Sequence, residues 1–257
     1  MKIVVCVKQV PDSAARVAVE EGQITWGDAP LVINPWDEYA VEAGLKVKEA
    51  HGGSVTVLSL GKEDEKEAIK HALAMGCDNA VLLSDPNLAG VDGAAATRIL
   101  AAAITKIGDV DLVILGKQAI DSDTGTAPAM TARILGWPAL TLVSSIDSLD
   151  EGKIAVKRGV EEGRQSVEST IPAVLSITKD YGEPRYPSFM GIRKAARAEI
   201  PVWALSDLEI EPPAAVVSWP DVMNPPEREI KNEIISGDTP EEIAAALADK
   251  IMAEKVL

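Results

Sequence analysis

Short apolar runs of strand length recur along the chain, each parted from the next by a stretch with helical signals. Ile3-Val4-Val5-Cys6-Val7, Val55 to Leu60, Ala80-Val81-Leu82-Leu83 and Leu112-Val113-Ile114-Leu115 are the first of them. Continuous apolar runs suit parallel strands covered on both faces, whereas strands with one wet face alternate. Asn34-Pro35-Trp36-Asp37 opens the first intervening helix, with Asp37 as its expected N-cap and Gly52-Gly53 as its stop. Glu63 to Met75, ended by Gly76, reads as the second, and the Ala-rich stretch Asp92 to Ile107 as the third. A fourth begins near Thr126 or Ala127, with Pro128 in its first turn, where a missing N–H costs nothing. Gly136-Trp137-Pro138 then leads into a fifth run, Leu140 to Val143. This alternation predicts an α/β fold, a doubly wound parallel sheet with right-handed crossovers. Ligands of such sheets sit beyond the strand C-terminal ends, at a switch in strand order. The loops after Val7, Leu60, Leu83 and Leu115 are therefore the candidates.

Elsewhere the pattern changes. Arg16 to Val19 and Ile24 to Trp26 flank Glu-Glu-Gly-Gln as a small inserted hairpin. Lys153 to Val160 and Ser166 to Thr170 form a second hairpin around Glu161-Glu162-Gly163, which returns the chain to a buried strand, Ala173 to Ile177. These segments make residues 1–198 one α/β domain. Residues 199–257 form an arm rich in Pro and Glu, too poor in apolar residues for a core of its own. It ends in a helix capped by Thr239, with Pro240 first and Glu241 and Glu242 at the positive end of the dipole. Ile243, Leu247 and Ile251 share one face, and Lys250 and Lys255 come late. Such an arm either docks on another chain or packs on its own domain.

A net charge of −15 argues against nucleic acid and anionic membrane as partners. No signal peptide and no run of membrane-spanning length is visible, and Cys6 and Cys77 have no partner spacing, so a cytoplasmic, reducing compartment fits. Cys6, inside a strand, reads as a small core residue. His51 and His71 lack the neighbours that a metal site or a catalytic base needs, and no phosphate-loop, G-x-G-x-x-G or nucleophile-elbow motif occurs. No catalytic set is evident.

One stretch carries chemistry: Asp111-Leu-Val-Ile-Leu-Gly-Lys-Gln-Ala-Ile-Asp-Ser-Asp-Thr-Gly-Thr-Ala-Pro-Ala-Met130. A strand, a loop without large apolar residues from Asp121 to Gly125, and a helix N-terminus would aim free N–H groups and a positive dipole at one spot. Thr124, Thr126 and Thr131 could add hydroxyls, while Asp121 and Asp123 would repel a phosphate and so are expected to cap the helix or bind ribose hydroxyls. The residues alone fit a phosphate cradle and an ordinary crossover with an Asp cap equally.

The run Val156-Lys-Arg158-Gly-Val-Glu161-Glu162-Gly163-Arg-Gln165-Ser-Val167-Glu-Ser-Thr-Ile-Pro172-Ala-Val174-Leu175-Ser176 resembles the signature of the electron transfer flavoprotein β subunit. Val5-Cys6-Val7-Lys8-Gln9-Val10-Pro11-Asp12, Asn34 to Glu38, Ala72 to Gly76, Gly116 to Asp121 and Glu183-Pro184-Arg185-Tyr186 agree in register. The resemblance implies a Rossmann-like fold of the adenine nucleotide alpha hydrolase type. It also implies a heterodimer, in which an α subunit carries the redox FAD and this chain holds an adenine nucleotide, AMP or a second FAD. Electrons would pass between a flavin dehydrogenase, such as an acyl-CoA dehydrogenase, and a downstream acceptor. Carried over position by position, nucleotide contacts fall at Cys6, at Asn34, Pro35, Trp36 and Asp37, and at Leu60. They continue at Gly116, Lys117, Gln118, Ala119, Ile120, Asp121, Ser122, Asp123, Thr124, Gly125, Thr126 and Ala127. Thr124 after Asp123, the Lys8-Gln9-Val10-Pro11-Asp12 opening, Asn34-Pro35-Trp36-Asp37 and Ala198-Glu199-Ile200-Pro201-Val202 look more like the electron-bifurcating branch, in which this subunit binds FAD and the complex oxidises NADH. Past Tyr186 a recognition loop is implied, its apolar anchor at Phe189 with Met190 and Ile192 beside it and Arg193, Lys194 and Arg197 as a basic flank. From the residues alone Phe189 is either a docking hot spot or a core Phe. A homodimeric nucleotide-binding stress-type module and an adenylyl-transfer enzyme are the competing classes; the latter lacks its Ser-Gly-Gly loop.

Overall fold

The structure is a computed structural model, and it describes residues 1–88, 90–226 and 232–254. It divides into two compact units, Met1–Val222 and Met223–Leu257.

In chain order the first unit begins β1 (Lys2–Cys6), β2 (Gln9–Pro11), β3 (Ala18–Glu20), β4 (Gln23–Thr25), β5 (Leu31–Ile33), α1 (Pro35–His51) and β6 (Ser54–Leu60). It continues with α2 (Glu67–Met75), β7 (Asn79–Leu83), α3 (Gly93–Ile107), β8 (Leu112–Gly116) and α4 (Ala127–Leu135). Then follow β9 (Ala139–Asp150), β10 (Lys153–Val160), β11 (Gly163–Thr170), β12 (Ala173–Ile177), α5 (Phe189–Ala195) and β13 (Val202–Trp203). One sheet runs β11-β10-β9-β12-β8-β1-β6-β7-β13. From β9 to β13 all neighbours are parallel, and β10 and β11 extend the sheet as an antiparallel hairpin. The chain moves outward from β1 through β6 to β7, then crosses back to β8 on the other side of β1. The switch in strand order therefore lies between β1 and β8.

Side-chain alternation along these strands feeds two cores. Ile3, Val5, Val55, Val57, Leu112 and Ile114 face α1 and α2. Val4, Cys6, Leu58, Val113 and Leu115 face the α3 and α4 side. All five residues of β8 and all five of β12 are buried, which is why both read as apolar runs, the second broken only by Ser176.

Several boundaries differ from the sequence reading. α1 takes Asn34, not Asp37, as its N-cap, because Pro35 already satisfies the first helical position. α2 starts at Glu67 rather than Glu63, since a turn closes residues 62–65 through Glu65 N–H to Lys62 O. β9 runs on to Asp150, and Leu142 within it has a left-handed φ of 59°. Residues 189–195 are helical where a loop is expected. Within 199–222, β13 joins the sheet edge beside β7, and Leu205 and Leu208 pack into the α3-side core.

The second unit holds α6 (Pro240–Ala253), capped by Thr239, whose Oγ1 accepts from Glu242 N–H at 3.2 Å. Glu242 returns a bond from Asp238 N–H at 3.0 Å, and Lys250 pairs with Glu233 at 2.6 Å. Lys255 lies outside the described residues.

Candidate functional site

A cavity of about 190 Å³ opens beyond the ends of β1 and β8, at the switch in strand order. The N-terminus of α1 builds one side of it. Asn34 is almost wholly buried and spends its side chain on the facing loop: Nδ2 donates to Gln118 O at 2.9 Å and Oδ1 accepts from Ile120 N–H at 3.2 Å. Asp37 joins the two strands, accepting from Lys8 N–H at 2.8 Å and from Gly116 N–H at 3.2 Å. Burial pushes its carboxyl up to about 7, even though those two donors, Asn34 and the Lys8 charge all pull the other way. Gly116 is required by this packing: a Cβ there would lie 2.6 Å and 2.7 Å from the Trp36 carbonyl carbon and oxygen and would strike Asp37 Oδ1.

The loop after β8 folds on itself. Asp123 adopts a left-handed φ of 54° and accepts from Gln118 Nε2, while Asp121 pairs with Lys8 Nζ at 2.5 Å. Neither acid caps α4, whose N-cap is Thr126 without a side-chain bond. The sequence expectation of an Asp cap is thus corrected: both carboxylates are committed within the loop and to Lys8. Their partners leave the backbone N–H groups of Thr124, Gly125, Thr126 and Ala127 with no acceptor among the described residues. These four residues line the cavity at the positive end of α4.

Of the residues singled out from sequence, the structure brings Cys6, Asn34, Asp37, Leu60, Gly116, Gln118, Ala119, Ser122, Thr124, Gly125, Thr126 and Ala127 to the cavity wall. Pro35, Trp36, Lys117, Ile120, Asp121 and Asp123 stand behind it; Lys117 Nζ sits 5.3 Å from the Trp36 ring centre. Cys6 is buried, and burial together with Asp37 drives its thiol pKa upward, so it contributes surface rather than reactivity. Sequence reasoning missed the wall formed by α3, namely Gly93, Ala96, Thr97 and Leu100. The signal was present in Gly93-Ala94-Ala95-Ala96, where small residues at a helix start permit close approach. Thr131, offered as a hydroxyl donor, is fully buried and does not reach the wall.

A second feature lies apart from the cavity. Phe189 is 75% exposed, Met190 70% and Ile192 52%, all on α5. Phe189 is therefore not a core residue. Ser188 caps α5, accepting from Gly191 N–H at 2.9 Å. A groove of about 620 Å³ runs beside it between β5 and α2.

The electron transfer flavoprotein domain model matches residues 25–208. Subunit CarD of the caffeyl-CoA reductase–Etf complex of Acetobacterium woodii is 34% identical over the whole of both chains. The electron transfer flavoprotein subunit beta of Megasphaera elsdenii is likewise 34% identical over the whole of both. Protein FixA of Azorhizobium caulinodans is 39% identical over 82% of this chain and 78% of its own. Likeness sustained from end to end, on a sheet whose switch point holds the predicted loops, makes this chain a member of the electron transfer flavoprotein family, in its β-subunit branch.

Proposed function

We propose that this β subunit holds an adenine nucleotide in the switch-point cavity and pairs with an α subunit that carries the redox FAD. The assembled pair passes electrons between a flavin dehydrogenase and a downstream acceptor, in the cytoplasm, where free buried Cys6 and Cys77 are at home. One observation carries the nucleotide reading: the run of unengaged N–H groups from Thr124 to Ala127 at the start of α4. Four unengaged donors and the positive end of a helix beside one cavity suit an anion, and a phosphate meets them with negative charge and several acceptor oxygens. The cavity's apolar wall from Leu60, Ala96 and Leu100 suits an adenine face. When bound in the α subunit, FAD supplies the redox chemistry; this chain's residues bind, orient and dock.

In this reading the nucleotide is AMP, whose single phosphate would face those N–H groups. A second reading, in which this subunit carries its own FAD and the complex bifurcates electrons from NADH, draws support from the neighbouring groove. That groove, about 490 Å³, shares Leu60 with the cavity and follows the loops after β6 and β7, giving a dinucleotide room to continue. The deciding measurement is chromatography of the nucleotides released on denaturing the purified complex. One FAD with one AMP per heterodimer supports the first reading and two FAD the second. A complex with flavin in the α subunit alone and no second nucleotide refutes both.

Docking on the dehydrogenase is assigned to α5, with Phe189 as anchor, Met190 and Ile192 as its apolar surround, and Arg193, Lys194 and Arg197 as a basic rim facing an acidic partner.

A further inference from the structure

The connector between β12 and α5 is fixed in its first half, where Thr178 N–H donates to Val143 O and a short turn spans Lys179–Tyr181, but residues 183–188 have little fixing of their own. From Glu183 to Ser188, the backbone N–H of Arg185 is the one that donates to any acceptor among the described residues, and its acceptor is Glu42 Oε2 at 3.1 Å. The Arg185 side chain repeats the attachment. Its Nε donates to Glu42 Oε2 at 2.8 Å and its Nη2 to Glu42 Oε1 at 3.2 Å. The far side of the guanidinium grips Glu49, through Nη1 to Oε1 at 2.5 Å and Nη2 to Oε2 at 3.1 Å. Glu42 and Glu49 stand two turns apart on α1, on one face. Glu42 is only 4% exposed, and a carboxylate removed from water to that degree needs a fixed cationic partner. Lys46 stands further off, at 3.7 Å from Glu42 Oε1.

We propose that Arg185 is the positioning residue of the docking helix, pinning the base of α5 to α1, the same helix whose N-terminus holds the nucleotide loop through Asn34 and Asp37. The inference rests on the docking role given above to Phe189. α5 is then held at two points, by the Arg185 fork at its base and by the close approach of Gly191 to Ala74 on α2, while the Ser188 cap fixes its first turn. A pre-ordered loop spends less of its binding energy on ordering, so the clamp acts on association with the dehydrogenase and not on the flavin. A planar fork that serves two carboxylates at once is a task for Arg, and Lys cannot replace it.

The test uses the complete αβ complex, reduced by an acyl-CoA dehydrogenase supplied with its acyl-CoA, with KM for the complex and kcat determined separately. Arg185→Gln is expected to raise KM roughly fivefold with kcat and nucleotide content held within about twofold, and Arg185→Lys is expected not to rescue it. Phe189→Ala is expected to raise KM, and the double variant to be little worse than Phe189→Ala alone, because one residue acts through the other. If Arg185→Gln does not fold, Glu49→Gln, which leaves the bonds to Glu42 in place, is expected to raise KM by a smaller factor. A raised KM for Phe189→Ala with no change for the Arg185 and Glu49 variants overturns the clamp alone, as do effects that multiply in the double variant. An unchanged KM for Phe189→Ala overturns the docking role, and the clamp with it.

Discussion

Asp37 is a buried acid placed between two backbone donors. Its surroundings push its pKa up to about 7 through burial, against the pull of Lys8, Asn34 and Gly116. In the unfolded chain the same carboxyl titrates near the ordinary Asp value of about 4. Between those two values the native state binds the extra proton, so the contribution of Asp37 is fully present below about pH 4 and is lost as pH rises toward 7. Asp85, Asp92 and Asp147, held low chiefly by hydrogen bonds, tilt the molecule the opposite way at acid pH, so the comparison must be a difference. The stability advantage of wild type over Asp37→Asn is expected to shrink by a few kcal/mol between pH 4 and pH 7.5. Urea unfolding at several pH values measures it, and a constant difference across the window would mean an ordinary carboxyl. The same residue marks a limit of sequence reading. Its position near a helix start suggested a cap, but a cap is a local role, and Asp37 serves Gly116, 79 positions along the chain.

At the scale of elements, what could be read locally was read. β8 and β12 are buried on both faces and read as apolar runs, the second broken only by Ser176, and α3 announces its start with Asp92, whose side chain caps Ala95 N–H at 2.8 Å. Where a residue's role was set across the fold, the reading stopped short. Leu142, with its left-handed φ, breaks the alternation of β9, so the run looked finished at Val143. The family resemblance implied a loop past Tyr186, where Gly191 sits, and Gly disfavours helices. In the structure it is helical and its bareness serves contact: a Cβ there would strike Ala74 O and lie 3.0 Å from Ala74 C. Gly191→Ala is therefore expected to lift α5 from α2 and raise KM for the dehydrogenase severalfold, without altering nucleotide content. Kinetics like those of wild type would show that α2 gives way at no cost and that α5 is not held there.

At the scale of the whole molecule the two units differ in what they bury. The first unit contains the complete nine-stranded sheet and both cores, including the edge strand β13 and the buried Leu205 and Leu208. Among its described residues the second unit has nothing comparable: Ile243, Leu247 and Ile251 form a stripe on α6, and each is more than a third exposed. An amphipathic helix in a unit without a core of its own is stabilised by what it lies against. We propose that the α subunit takes that role. Ending the chain after Val222 is then expected to leave a protein with a cooperative thermal transition within a few degrees, or about 1 kcal/mol, of the full chain measured alone. The same truncation is expected to abolish co-purification of a flavin-bearing α subunit. Replacing Leu247 by Asp in the full chain should weaken the association without touching the first unit, since one charge on the apolar stripe opposes burial at its centre. Co-expression of each form with a tagged α subunit, read by flavin absorbance in the eluate, measures both. Retention of flavin at the full-length level by the truncated chain would place the whole heterodimer contact on the first unit and leave α6 outside it.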